Sequence, residues 1–248
     1  MKTRAFIALD LPEEAINEIK QIQENIKRKF IFTEISSINK ENFEKLKKSK
    51  FSKKKSENKF SDTFKIKDFE VFDEFSLGKL DYSKFSKKIS VPKTLNDRNK
   101  VFVRGKYTEL ENLHLTLKFL GEINNEKLEK VKKRLSELKF EEFTAKLDKI
   151  GIFSGKTPRV LWIELKGADI LQREIDNVLE DLFEKEKRFM GHITIARIKY
   201  IKEKKELIEY LKKIKTDIRF TVDKFYLKKS TLLPEGPIYE VIEEYPLK

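Results

Sequence analysis

The sequence predicts a duplicated, two-lobed fold of strands and helices, with a long insertion in the first lobe. Three observations carry this reading. The order strand, helix, strand, helix, strand occurs twice. The central strand of each copy opens with His-x-Thr, and residues 31–106 interrupt only the first copy.

Arg4 to Leu9 reads as the first strand, an apolar run bounded by Asp10 and Pro12. Pro12 suits a first helical position, and Glu13 and Glu14 complement the positive end of the helix dipole. The helix that follows is striped by Ile16, Ile19, Ile22 and Ile26, a spacing that keeps one face toward a core. After the interruption, Leu113 to Phe119 alternates as a strand, and Asn124 or Asn125 caps a helix striped by Leu128, Val131, Leu135 and Leu138. Lys146 to Ile152 closes the first copy as a strand.

The second copy reads in the same order. Its strand Val160–Leu165 precedes a helix striped by Ile170, Leu171, Ile175, Val178 and Leu182. The strand His192–Ile198, a helix with Leu207, Ile208, Leu211 and Ile214, and the strand Phe220–Leu227 complete it. Leu233-Pro234-Glu235-Gly236 then predicts a hairpin, with Pro and Gly at favoured positions of a type I turn.

Composition narrows the chemistry. The 248 residues are 39% hydrophobic, which suffices for a substantial core. No apolar run spans a bilayer and the N-terminus has no signal-peptide pattern, so the expected location is the cytoplasm. Cysteine is absent, which removes disulfides and thiolate metal sites. The two histidines lack neighbouring ligands for a four-coordinate zinc site, so neither metal nor cofactor is expected.

A formal charge of +13 favours a polyanionic partner. Residues 31–106 hold 20 Lys or Arg against 11 Asp or Glu, an excess of nine, so most of the basic character sits there. That segment also holds 10 of the 20 Phe residues, unlike disordered composition, and repeats Ser-Lys-Phe-Ser-Lys-Lys at 49–54 and 83–88.

His114 and His192 are the chain's whole histidine complement. On a strand, positions i and i+2 share a face, so His114 pairs with Thr116 and His192 with Thr194. Leu113, Leu115, Leu117 and Phe119 then turn into the core, and Lys118 falls on the His114 face, either as a phosphate contact or as a solvated rim residue. Phe6 is also read as core. If the two strands meet, two imidazoles and two hydroxyls converge on one site. One neutral imidazole can take a proton from water while the other, charged, gives one to a departing oxygen. The threonine hydroxyls can donate to non-bridging phosphate oxygens. Arg197 sits at an odd offset from His192. It reaches the substrate only if the strand bulges first, and otherwise serves a structural salt bridge.

These motifs, His114-Leu115-Thr116-Leu117-Lys118-Phe119-Leu120-Gly121 and His192-Ile193-Thr194-Ile195-Ala196-Arg197, resemble those of the 2H phosphoesterase superfamily. Within it they resemble the RNA 2′,3′-cyclic phosphodiesterases, once named 2′,5′-RNA ligases. The start Arg4 to Asp10 and the end Lys229 to Tyr239 are similar too. The resemblance implies a bilobal α+β fold, with antiparallel sheets lining a central cleft and helices outside, in one phosphoesterase domain; residues 31–106, the insertion in its first lobe, depart from the compact family pattern. It implies hydrolysis of a terminal 2′,3′-cyclic phosphate of RNA to a 2′-phosphomonoester, with His114 as proton donor and His192 as proton acceptor. Thr116, Thr194 and Arg197 would bind substrate. The expected partners are RNA ends such as those of tRNA fragments, with no membrane and a monomeric protein. Two other readings remain at this point: 2′,5′-ligation or 2′,5′-phosphodiesterase activity, and an RNA-binding module that works through the basic insertion.

Overall fold

The structure, a computed structural model, describes residues 2–34, 102–154, 158–234 and 236–248. The Phe-rich run and both copies of Ser-Lys-Phe-Ser-Lys-Lys lie outside the described residues. The architecture is α+β and bilobal, organised on one sheet.

The first copy begins with β1 (Lys2–Asp10) and α1 (Glu13–Lys29). Pro12 lies one position earlier than its sequence suggests: it is extended, at the helix N-cap. Ala15, Ile19, Ile22, Gln23 and Ile26 form the buried stripe of α1, while Ile16, about 100° round the helix from Ala15, is only partly buried. The strands β2 (Ile31–Glu34) and β3 (Phe102–Tyr107) follow, so both ends of the 31–106 segment enter the sheet.

β4 (His114–Asn124) carries the first motif. The helix α2 (Asn125–Ser136) is capped by Asn124, whose side chain accepts from the Lys127 amide at 2.8 Å, as expected of an Asn at that boundary. Val131 and Leu135 supply its buried face. β5 (Phe143–Ser154) ends the first copy.

The second copy runs β6 (Pro158–Lys166), α3 (Asp169–Val178), β7 (His192–Ile201) and α4 (Lys204–Leu211). On α3 the buried residues are Leu171, Gln172, Ile175 and Asp176. Ile170, expected in that stripe, is 56% exposed because it lies one residue round the helix from Leu171. The single strand expected at Phe220–Leu227 is two: β8 (Arg219–Val222) and β9 (Lys224–Leu233), separated at Asp223. β10 (Gly236–Pro246) pairs back on β9 with Gly236 opposite Leu233, which is the hairpin read from the turn sequence.

The strands run β10-β9-β1-β4-β7-β6-β5-β8, with β3 also on β7 and β2 parallel to β3. Thus β4 and β7, the two motif strands, are central neighbours. Each copy gives its last strand to the other: β5 pairs with β6, and β9 pairs with β1. One face of the sheet buries Leu115, Leu117, Ile193 and Ile195 in a core shared with Ile19, Ile22, Leu171 and Ile175 from the helices. On the opposite face His114, Thr116, His192 and Thr194 are half-buried. No helix among the described residues is long and apolar enough to cross a membrane.

Candidate active site

β4 and β7 are antiparallel, with Leu115 opposite Ile193. That register sets His114 on the row of Thr194 and Thr116 on the row of His192, all four on the face away from the core. The histidines are then diagonal neighbours, about 7–8 Å apart in regular ladder geometry. The two motifs therefore meet as adjacent strands.

Each imidazole is held in the same way. His114 Nδ1 lies 2.8 Å from the Asn112 carbonyl, and His192 Nδ1 lies 2.8 Å from the Met190 carbonyl. A carbonyl only accepts, so Nδ1 carries the proton in both rings and Nε2 is left for chemistry. His114 Nε2 stands 3.1 Å from Thr116 Oγ1, so the hydroxyl donates to the neutral ring.

Aromatic rings wall both histidines. His114 lies 5.1 Å from the Phe6 ring and 5.0 Å, edge-on, from Tyr239. His192 lies 4.8 Å, edge-on, from Phe153, which rests at 5.2 Å on Trp162. The Trp162 ring packs closely on Gly151: a Cβ there would come within 2.4 Å of it. Phe6 is buried, as expected. The two flanking residues that strand alternation alone did not reveal as neighbours of the site are Tyr239 and Phe153.

The electrostatics around His114 are asymmetric. Burial is the largest influence and, with Lys228 and Arg197, lowers its pKa to about 4, against the upward pull of the Asn112 carbonyl and Asp10. His114 is therefore neutral at pH 7 in the free protein. Lys228 is itself buried and ion-paired with Asp10, which lies directly opposite His114 in the β1–β4 ladder. Burial likewise raises the pKa of the Tyr239 phenol, against Arg197 and Arg4.

Both motif strands bulge just after their threonine. Ala8 pairs with Thr116 but Ile7 with Lys118, leaving Leu117 extra; Trp162 pairs with Thr194 but Leu161 with Ala196, leaving Ile195 extra. The extra residue reverses the side-chain phase. Arg197 consequently joins the His192 face. For the same reason Phe119, expected in the core, is 75% exposed and 6.3 Å from Phe6.

Lys118, expected beside His114, is instead turned to the other face and buried. It is ion-paired with Asp176 and donates to the Glu184 carbonyl at 2.8 Å. Burial alone would raise the Asp176 carboxyl, but Lys118, the Glu186 amide and the Gln172 side chain together hold it below the usual range. Lys118 is thus a structural cation tying β4 to the segment that leads into His192. A second buried polar side chain, Gln23, donates to the carbonyls of Ile195 and Thr108 at 2.9 and 3.1 Å, so α1 grips β7 at its bulge.

The chain is similar to known proteins in sequence and in fold. The family model described as LigT like phosphoesterase matches residues 93–162 and 166–239. The chain is 41% identical over 147 residues, 56% of its length and 83% of the relative's, to a protein named RNA 2′,3′-cyclic phosphodiesterase from Methanocaldococcus jannaschii. It is 38% identical over 142 residues to the protein of the same name from Archaeoglobus fulgidus, covering 54% of this chain and 80% of the other. In fold it is similar to the crystal structure of TT0787 of Thermus thermophilus, with a TM-score of 0.59 at 22% identity over 98% of this chain and 97% of that one. It is also similar in fold to E. coli LigT complexed with 3′-AMP, with a TM-score of 0.56 at 17% identity over 100% and 98%. The duplicated His-x-Thr frame and the family match together place this chain among the LigT-like phosphoesterases.

Proposed function

We propose that this protein hydrolyses the terminal 2′,3′-cyclic phosphate of RNA to a 2′-phosphomonoester, with His114 and His192 as the acid and base and no metal. The observation that carries the reading is the register that puts both motifs on one row-pair of the sheet, Leu115 opposite Ile193. The relatives' shared name, RNA 2′,3′-cyclic phosphodiesterase, supports the substrate.

In this reading His192 Nε2 takes a proton from water as its oxygen bonds to phosphorus. The bond from phosphorus to O3′ breaks, and His114 Nε2 gives a proton to that oxygen. Thr116 and Thr194 donate to the non-bridging oxygens, and the Arg197 guanidinium offsets their growing charge. His114 is neutral in the free protein, so the phosphate itself supplies the charge that lets this ring hold a proton. An anion beside Lys228 and Arg197 offsets their effect and raises the His114 pKa from about 4.

The proposal extends to a monomer acting in the cytoplasm on RNA ends such as those left by tRNA cleavage. Within it, residues 31–106 are a basic insertion of one phosphoesterase domain that attracts the polyanion. The test is incubation, in EDTA, with an RNA ending in a 2′,3′-cyclic phosphate. The expected product carries a 2′-phosphate and a free 3′-hydroxyl. An unchanged substrate, or a 3′-phosphate product, would refute the proposal.

A further inference from the structure

Each bulge in the motif strands is held on its core side by a buried polar side chain, and in both cases the helix that supplies it belongs to the other copy. Under β4 it is Asp176 of α3, ion-paired with Lys118, the residue after the extra Leu117. Asp176 also accepts from Gln172 at 2.7 Å and from the Glu186 amide at 2.8 Å. Under β7 it is Gln23 of α1. Its amide donates at 2.9 Å to the carbonyl of Ile195, the extra residue itself, and at 3.1 Å to the carbonyl of Thr108. The Ile195 carbonyl accepts a second time, from the Thr108 amide at 3.1 Å.

Packing alone does not account for Gln23. It is 5% exposed in a stripe with Ile19, Ile22 and Ile26, where an apolar side chain would carry no polar desolvation cost. The amide is compatible with that place because both of its N–H donors are used. Its acceptors lie where β7 changes partners: Leu115 of β4 faces Ile193, whereas Tyr107 of β3 faces Ala196. Ile195 falls between them, at the fork where β4 leaves β7 and β3 takes its place. Beyond the fork Arg197 faces Lys106 on β3, which is ion-paired with Glu109 at 3.4 Å, and Val160 on β6. In regular alternation Arg197 would follow Ile193 and Ile195 onto the core face, so its place beside His192 depends on the bulge that Gln23 holds.

We infer that Gln23 is a positioning residue for Arg197: by fixing the Ile195 carbonyl against Thr108, it keeps the β7 bulge in the form that turns the guanidinium onto the histidine face. The inference deepens the proposed reaction, in which Arg197 meets the charge growing on phosphate, and it rests on that reading for its effect on turnover. Gln23 acts through the backbone, so its loss displaces Arg197 without removing any group from the site. Gln23→Met keeps the length and the apolar contacts of the stripe but offers no donor, which frees the bulge to shift.

The test has two arms, both on the full chain. In the free protein, the NMR cross-peak of the Arg197 Nε–H, identified by its loss in Arg197→Lys, is expected to move in Gln23→Met. The Thr108 amide should exchange with solvent about tenfold faster, as the loss of about one supporting hydrogen bond predicts. Ile26→Val, a conservative truncation on the same buried stripe, leaves both signals in place. In turnover of a 2′,3′-cyclic phosphate RNA, Gln23→Met is expected to lower kcat by about 10- to 10²-fold with little change in KM. The same change made in Arg197→Ala costs less than about twofold, because the residue it positions is gone. Gln23→Asn, whose amide is one methylene short of its acceptors, reads the same quantities if Gln23→Met does not fold. An Arg197 cross-peak indifferent to the loss of Gln23, or a kcat loss equal with and without Arg197, overturns the inference. Loss of the fold in both variants would make Gln23 a folding residue and overturn it too. A parent chain that leaves cyclic phosphate untouched refutes the proposed reaction, while the free-protein arm still answers for Gln23.

Discussion

Phe119 and Arg197 occupy the same position in the two halves of the molecule, each five residues beyond its histidine and just past a bulge that turns it onto the histidine face. One lobe uses that place for an exposed ring and the other for a fixed positive charge.

Arg197 is the guanidinium in this reading that meets the charge developing on phosphate. Arg197→Ala is expected to lower kcat by about 10²- to 10³-fold, as loss of one transition-state donor does elsewhere. Arg197→Lys keeps the charge without the fork and should recover only part of the loss. Steady-state kinetics on a cyclic-phosphate RNA check this; full activity in Arg197→Ala would remove the residue from the site.

The Lys118–Asp176 pair is buried on both sides, with each side chain 5% exposed. Lys118→Ala strands a buried carboxylate and is expected to cost about 3–5 kcal/mol, whereas replacing both partners by apolar residues should cost far less. Denaturant unfolding of the single and double variants distinguishes the two outcomes. Equal losses would show that the pair is not coupled.

His114 also predicts a pH dependence of stability. Its pKa falls from 6.5 in the unfolded chain to about 4 in the fold, so the folded state prefers the neutral ring. The associated stability is fully present above pH 6.5 and is lost as pH falls toward 4, where the unfolded chain binds the extra proton. The amount is about 3 kcal/mol at most. Relative to His114→Gln, the parent should lose about that much between pH 7 and pH 4. A constant difference between the two proteins across that window would show that the ring is not desolvated.

Gly191 precedes the second motif, and a Cβ there would lie 2.3 Å from the Leu165 carbonyl oxygen. The Leu165 amide donates back to the Gly191 carbonyl at 3.0 Å, so the two backbones are locked together. Gly191→Ala must push them apart, at a cost of about 1–3 kcal/mol. Because His192 is the next residue, kcat should fall as well. Thermal unfolding and kinetics on the same variant test both effects, and a variant matching the parent in each would contradict the close approach.

Much of this arrangement is legible in the sequence, because periodicity and caps are local. Ile19, Ile22 and Ile26, the Asn124 cap, the motif strands and the β9–β10 hairpin all sit where their patterns require. The bulges are harder to read, since an extra residue leaves composition unchanged. In β7 the run Ile195-Ala196-Arg197-Ile198 does betray the change of phase, with two apolar residues in succession. In β4 the corresponding place holds Lys118, and its charge hides the same change. β3 was obscured by the basic segment around it, although Phe102, Val103 and Tyr107 are suitable strand formers. The division at Asp223 depends on partners far away in the chain, as does the pairing of Asp10 with His114 and of Glu164 with His192. Register between distant strands is not written in any local pattern.

The most direct test of a shared acid–base site is to compare His114→Ala, His192→Ala and the double variant on a 2′,3′-cyclic phosphate RNA. If both rings serve one phosphorus atom, each single change removes about 10²- to 10⁴-fold or more of kcat, and the double variant is little worse than either alone. Losses that multiply as independent factors, or a single variant that keeps the parent's turnover, would contradict a joint role.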